Sequence, residues 1–395
     1  MRNLLLVILG AGLLWPAAAE ARIKLITLPV RERVEIQLDH PGATLVEEER
    51  IVPLVKGVNQ VDFSWANTRI DPDTIVFRVL GPGEAGRQID INVLSVSYPP
   101  GENALVWQVA SNDAGSARVR ISYLLGGLDK TFAYRAVAGR DEKTLALSQF
   151  IRVQNFANEE FGTSEIWAGF GPRFLKPIGL NETKELLVER YDAVPIVKTY
   201  TADLAEHGWL DQPQQKLRVP MHYVLTNTKA NKLGLAALPY GKVRIFLDDG
   251  RGGTAFLGED WGQFTPIDDK MKLYLGVAQD IVVKRTIEKN QRKRIAGNLF
   301  DHEIIVKYEI ENFKTDAVTL DIAESLVNLR NELVGHEQNR DPQVEQGDQT
   351  TMGNKDAEES TVDRWLYHVQ LPAAKDGKAE KQVHKLHVVF KNVWQ

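Results

Sequence analysis

The 395-residue chain contains no cysteine. That absence removes disulfide staples, thiolate-ligated zinc, iron–sulfur clusters and thiol catalysis together. Histidine is scarce as well, with His40, His207, His222, His302, His336, His368, His384 and His387 scattered along the chain. None of these pairs at the i, i+4 spacing of a helical zinc site or the i, i+2 spacing of one strand face. Positive charge is not in excess. Lys and Arg number 48 against 53 Asp and Glu, a formal net charge of −5, which is the opposite of what a general nucleic-acid binder carries. No Gly-x-Ser-x-Gly elbow occurs, and the glycines of Asp248–Gly253 are not followed by the Lys-Ser/Thr of a phosphate loop. No cofactor is therefore indicated.

What the chain does have begins with its first residues. Arg2 precedes an apolar run from Leu4 to Leu14, then Trp15-Pro16 and the small residues Ala17-Ala18-Ala19. A basic end, a short apolar core and a small-x-small site form the layout of a secretory signal. The run is about 11 residues, short of the ~20 needed to span a bilayer. The expectation is a signal peptide over 1–19, cleaved near Ala19 or Ala21, with a periplasmic or secreted product and no transmembrane segment in the mature chain.

Beyond that point, period-two alternation dominates. Arg31–Leu38 sets Val34, Ile36 and Leu38 on one face and charges on the other, and Arg118–Tyr123 and Glu303–Ile310 repeat the pattern. Further strands are expected over 43–53, 58–64, 74–80, 88–98, 144–156, 193–200, 216–226, 280–288, 317–325, 364–371 and 382–392. Turn residues such as Asp71-Pro72-Asp73, Pro99-Pro100-Gly101 and Asn112–Gly115 punctuate them. The clearest hairpin is Val243–Leu247 and Thr254–Leu257 around Asp248–Gly253. Helical signals are few and short: Thr183–Asp192, 200–210 and 355–366. Many short strands without βα alternation predict an all-β protein of antiparallel β-sandwich domains with few short helices.

Two breaks organise the chain. The first, near Leu124–Asp129, suggests an N-terminal β domain over 20–122 and a larger β-sandwich region over 123–395. The second is 338–363, poor in large apolar residues and rich in Gln, Asp, Glu and Gly. Such a stretch buries too little surface to offset its ordering entropy, so a mobile polar insert is expected there.

Several motifs then look familiar. They are Val46–Leu54 with Gly57, Ile70–Thr74, Tyr123–Leu128, Tyr134-Arg135-Ala136, and Leu145-Ala146-Leu147 through Val153–Phe156. The most specific are Leu238–Phe246 through Ala255–Asp260, Phe264-Thr265-Pro266, Leu273–Gly276 and Asp280–Val283. In these the chain resembles the domain-of-unknown-function 4139 family, the mucoidy inhibitor A-like proteins, over most of its length and best over 120–325. The resemblance implies an all-β, often exported protein of unknown biochemical role, and it brings no catalytic residues. Asp129-Lys130 stands where that family often has Trp, and no central coiled-coil segment is present.

Candidate ligand residues remain few. Glu259 and Asp260, with Asp268 and Asp269 downstream, form the best acidic cluster. A carboxylate pair or a calcium site is the functional reading, and a charged hairpin end turning at Gly258 is the plain one. Trp167, Trp209 and Trp261 lie near predicted loops or strand ends, as do Phe170 and Phe174. Such rings either stack on a ligand or fill the core. The basic stretch Lys289–Arg294 reads as a solvated hairpin tip able to touch an anionic polymer or headgroups. The acidic residues of 338–363 raise calcium binding as a further idea. The expected function is a non-catalytic envelope protein that binds another protein, through loops or by edge-strand addition. The alternative is the binding or processing of an envelope carbohydrate through Glu259, Asp260, Trp261, Trp167 and Trp209.

Overall fold

The computed structural model describes residues 24–40, 42–83, 89–207, 216–334 and 343–394. The expected signal segment and its cleavage points, Trp209, and the first residues of the 338–363 insert lie outside them.

In chain order the strands begin with β1 (Lys24–Thr27), β2 (Arg33–Gln37), β3 (Thr44–Leu54), β4 (Gly57–Ser64), β5 (Val76–Pro82), β6 (Ile91–Ser97), β7 (Ala104–Ser111) and β8 (Gly115–Leu125). They continue with β9 (Leu128–Ala138), β10 (Thr144–Asn155), β11 (Phe161–Trp167), β12 (Phe174–Ile178), β13 (Thr183–Pro195) and β14 (Val197–Asp203). After helix α1 (Leu204–His207) come β15 (Lys216–Leu217), β16 (Pro220–Thr226), β17 (Gly241–Asp248), β18 (Thr254–Gly262), β19 (Lys270–Val277), β20 (Ile281–Ala296), β21 (Leu299–Asn312) and β22 (Val318–Ser325). Helix α2 (Leu326–Leu333) precedes β23 (Gln343–Gln346), β24 (Arg364–Leu371) and β25 (Lys381–Trp394). The fold is all-β, with two short helices among the described residues.

Alternation says which face a residue takes but not which way its neighbour runs. Parallel pairs accordingly occur among the antiparallel ones: β1 with β4, β2 with β11, β9 with β17 and β14 with β22. Each joins strands distant in sequence, where no hairpin dictates direction.

Contacts divide the chain into two units, Met1–Lys130 with Val153–Lys184, and Thr131–Arg152 with Glu185–Gln395. The chain therefore passes between units three times, where the sequence suggested a single boundary after residue 122. The first unit pairs a four-stranded sheet, β1-β4-β7-β6, with a six-stranded one, β12-β11-β2-β3-β8-β5. Aromatic rings join them: Phe63 lies 5.9 Å from both Trp107 and Tyr123, and Phe77 lies 4.6 Å from Trp107. Across one face of the six-stranded sheet, Arg33, Arg78, Arg118, Arg120 and Arg173 interleave with Glu35, Glu47, Glu49 and Glu165. That ladder is the polar half of the alternation read from the sequence: Arg33, Arg120 and Arg173 each meet more than one carboxylate, while Arg78 meets Glu47 and Arg118 meets Glu49.

The second unit holds three five-stranded sheets, β13-β10-β9-β17-β18, β19-β16-β14-β22-β24 and β15-β20-β21-β25-β23. One core cluster packs Tyr134, Leu147, Val243 and Ile245 against Tyr223, Leu225 and Leu273. The other packs Tyr200, Leu320, Ile322 and Tyr367 against Val283, Ile304, Val306 and Val388.

Three local expectations are corrected. Thr183–Asp192 is strand and not helix, because Leu186 and Val188 face the interior in strand alternation and packing overrides local propensity. Residues 355–363 form turns and bends leading into β24, which already holds 364–366. The described part of the 338–363 insert is built into the structure: β23 pairs with β25, the Thr351 amide donates to the Lys385 carbonyl, and Met352 is buried. Gly347 makes this possible, since a Cβ there would lie 1.9 Å from Nδ1 of His387. Backbone pairing, rather than apolar burial, orders this polar segment.

The second core also seals in a charge pair. Arg285 of β20 and Glu324 of β22 are each 3% exposed and meet in a bidentate pair, Nε–Oε2 2.9 Å and Nη2–Oε1 2.8 Å. The Tyr308 hydroxyl, across the strand pair from Arg285, donates to the same carboxylate. Burial alone would push the guanidinium toward neutrality, but the Glu324 charge outweighs it and Arg285 stands above its ordinary pKa. Burial and the same carboxylate drive the Tyr308 hydroxyl well above its own.

Removing one partner leaves an uncompensated buried charge. Glu324→Ala should therefore lower unfolding free energy by about 3–5 kcal/mol in urea titration, and the double variant Arg285→Met/Glu324→Leu should lose less than either single change. A double variant as unstable as the sum of its singles would refute this account.

Candidate functional site

The sequence candidates other than Trp209 lie among the described residues. Glu259 and Asp260 are successive residues of β18, so they point to opposite faces of the sheet. Gly258 stays within that strand opposite Ile245, and the turn of the hairpin lies at Asp249–Gly253. The hairpin itself forms as read, but the acidic pair is not at its end. Glu259 takes Lys242 at 2.9 Å and Arg244 at 3.8 Å, and the Lys242 ammonium holds its carboxyl below the usual range. Asp260 accepts the Trp261 amide at 2.8 Å and the Tyr274 amide, midway along β19, at 2.7 Å. Both carboxylates have partners and they do not converge. Among the described residues no group of three or more His, Asp or Glu is arranged to hold a metal ion; the calcium idea finds no ligand set there.

Trp167 ends β11 in the first unit, with the Arg173 guanidinium 5.2 Å over its ring. Trp261 belongs to the second unit. Trp209 lies outside the described residues.

Trp261 does have company. Its ring stacks on Tyr240 at 5.2 Å and 3°, with the Lys242 ammonium 5.3 Å from its centroid. Two loops continue from this pair, and each bonds the other through Leu238 and Thr265, amide to carbonyl at 2.9 Å in both directions. Along them Leu235, Tyr240, Trp261, Phe264 and Ile267 are all 47–69% exposed. Leu235 and Ile267 also wall a cavity of about 590 Å³ with Thr228, Lys229, Gly234 and Asp268.

A single buried amide holds both loops. Asn227, at 0% exposure, follows β16. Its Nδ2 approaches the carbonyls of Ala236 (3.0 Å), Thr265 (3.1 Å) and Pro266 (3.0 Å), and its Oδ1 accepts the Gly234 amide at 2.8 Å. Gly234 sits at φ +73°, and a Cβ there would come within 2.5 Å of the Lys229 nitrogen. The loop can close onto Asn227 only with glycine at that place.

The sequence offered no sign of Asn227, because its four partners lie on two separate loops. For Tyr240 and Phe264 a signal existed: aromatic residues set among Pro and Gly, inside the most specific of the familiar motifs. Each reads equally well as core.

A second polar cluster was equally hidden. His368 of β24 stands opposite Asp321 of β22, with Nδ1 to Oδ1 at 2.7 Å, and its Nε2 meets Asp356 Oδ2 at 2.8 Å. Asp356 also caps its own turn by accepting the amides of Glu358 and Glu359. The two carboxylates raise the pKa of His368; Asp356 is held down to about 2 by His368 and those amides, whereas burial raises Asp321. His368 thus clamps the turn at 356 to the sheet while it is protonated.

No protein-family model matches the chain, and no curated protein matches it. Among the described residues no helix is long and apolar enough to cross a membrane.

Two outcomes follow. Replacing Asn227 by Ala strands several carbonyls and should cost about 2–4 kcal/mol in urea unfolding, with faster amide exchange at Gly234; unchanged exchange would place the loop's anchor elsewhere. For the clamp, a raised His pKa gives stability that is complete below about pH 6.5 and lost as pH rises through the folded value. The lowered Asp356 gives stability present above its ordinary value and lost as pH falls through about 2. The raised Asp321 works the other way, favouring the native state only toward low pH. His368→Asn should therefore depress Tm more at about pH 5.5 than at about pH 8.5. An equal depression at both would show that the imidazolium charge does not hold the turn.

Proposed function

We propose that this is an exported cell-envelope protein acting as a non-catalytic binding module, and that its partner is another protein seated on the Leu235–Tyr240–Trp261–Phe264–Ile267 surface. The observation that carries the reading is the exposure of these five large side chains, Trp261 near the end of β18 and the other four on two loops that Asn227 fastens together. Large exposed apolar patches mark interaction sites, and aromatic side chains on rigid supports dominate the energetics of protein interfaces. Beside Trp261, Lys242 and Glu259 are paired with each other, as at the polar rim of such an interface. The N-terminal layout and the likeness to the 4139 family, whose members are often exported, support the envelope location.

A surface glycan is the second reading. The exposed Trp261 ring beside Lys242 and Glu259 offers one stacking face and polar neighbours. The protein reading is preferred because Leu235 and Ile267 add aliphatic area that a sugar ring uses poorly.

Chemical cross-linking in intact cells, followed by mass spectrometry, tests the proposal when run on the wild type and on Trp261→Ala/Phe264→Ala. A specific protein adduct should fall by roughly 30-fold or more in the double variant, with Tm unchanged, while Leu175→Ser, an exposed change in the other unit, leaves it intact. Equal adduct in wild type and double variant would remove the surface from the function. Trp fluorescence quenching by envelope glycan fragments, abolished by Trp261→Ala, would transfer the site to carbohydrate.

A further inference from the structure

The β20–β21 hairpin runs beyond the core it helps to build. In the first half of β20, Ile281, Val283 and Arg285 are buried, but every residue from Asn290 to Ala296 is exposed. A strand pair that leaves its core must be held by its own rungs and its neighbour. Here β25 supplies that neighbour, with Leu299 opposite Trp394 and Phe300 opposite Val393.

The side chains at this end fall into two kinds. Arg292, Lys293 and Arg294 are three successive cations, and none has a carboxylate within ion-pair distance among the described residues. Their charges are held in place by other means: the Arg292 guanidinium lies 3.5 Å over the Phe300 ring, and Arg294 Nε donates to the Gly297 carbonyl at 2.8 Å. The nearby acids are already engaged. Glu303 takes Lys289, Glu288 takes Lys385, and Asp301 accepts the Asn392 amide with Lys391 at 4.0 Å. Beyond the cations come apolar groups without cover. Ile295 is 49% and Trp394 52% exposed, and Ala296, Leu299 and Trp394 form one cross-strand row at the very end of the sheet.

Unpaired cations behind a tryptophan and an isoleucine at a projecting tip are what an anionic membrane surface complements. The cations reach the headgroups electrostatically, and the indole and aliphatic chain enter the boundary beneath them. We propose that the β20–β21 tip, with Trp394 of β25, docks this protein on a bilayer surface containing anionic phospholipid. A soluble polyanion would satisfy Arg292, Lys293 and Arg294 but has no use for Ile295 and Trp394. Those two residues are what commits the surface to lipid.

Co-sedimentation of the full chain with vesicles tests this, comparing pure phosphatidylcholine with equal parts phosphatidylcholine and phosphatidylglycerol. Binding is expected to the mixed vesicles alone, and to weaken as salt is raised. Each basic residue contributes a factor of roughly five near such a surface, so Lys293→Gln/Arg294→Gln should weaken binding roughly 25-fold. Ile295→Ser/Trp394→Ser should abolish it, and a vesicle-induced blue shift in emission should vanish in Trp394→Phe. These positions are exposed, and unchanged Tm in the variants verifies that folding is intact. Absence of binding to mixed vesicles, or equal binding to both kinds, would overturn the proposal. So would full binding by Ile295→Ser/Trp394→Ser with complete competition by polyglutamate, which would identify a soluble anionic polymer as the occupant.

Discussion

The larger core depends on a charge pair that water cannot reach. Arg285 and Glu324 come from strands of two different sheets, and Tyr308 closes the group from the strand beside Arg285. An apolar pair of similar shape could hold the sheets together as firmly, since desolvation consumes much of the attraction between buried ions. What apolar residues would not supply is direction. A bidentate guanidinium–carboxylate contact is satisfied at one relative placement of β20 and β22, so sliding either sheet by a residue strands both charges. In a chain without cysteine, where no covalent link fixes one sheet against the other, such a device supplies the register that alternating Val, Ile and Leu leave loosely defined.

The same logic, with a neutral group, builds the exposed surface. Asn227 spends its amide on carbonyls of two loops and accepts an amide from one of them. Leu233 and Leu238 seat the first loop in the core, Asn227 ties the second loop to it, and the other large side chains are left facing solvent. With the loops held by Asn227 and by these two leucines, Leu235, Tyr240, Phe264 and Ile267 remain outside. Rigid support matters for recognition, because side chains already ordered lose less entropy when a partner arrives.

How much of this was legible in the sequence follows from the range of the interactions. The strands centred on Val34–Leu38, Arg118–Tyr123 and Val243–Leu247 could be read because alternation is local, and so could the 248–253 turn. Thr183–Asp192 misled because Thr-Lys-Glu-Leu-Leu fits a helix as well as a strand, and only the burial of Leu186 and Val188 decides. Helix α2 escaped because a strand runs directly into it, with Ser325 serving as last strand residue and N-cap at once. The pairing of Asp321 with His368 and the grip of Asn227 could not be read at all. Each depends on register between segments that alternation alone does not align. The segment after residue 343 was misjudged for a different reason: its order comes from backbone bonds to β25, and composition speaks only of apolar burial.

Two exposed apolar surfaces on one unit invite the thought that they serve one partner, but their electrostatics differ. Around Trp261 the charges are matched, Lys242 and Arg244 beside Glu259, with Asp260 next in the same strand. A matched set has almost no field beyond contact distance, so it selects by shape and by the cost of leaving a charge unpaired. Around Trp394 the cations Arg292, Lys293 and Arg294 lack carboxylate partners among the described residues, and their field reaches about a Debye length into solution. That arrangement attracts before it fits, and it favours a broad negative surface over one defined contour. A surface that discriminates and a surface that gathers charge are poor substitutes for each other. The matched patch suits recognition of a particular molecule, while the unmatched tip suits adherence to an extended one, and a protein that carries both can hold its partner where the anionic surface is.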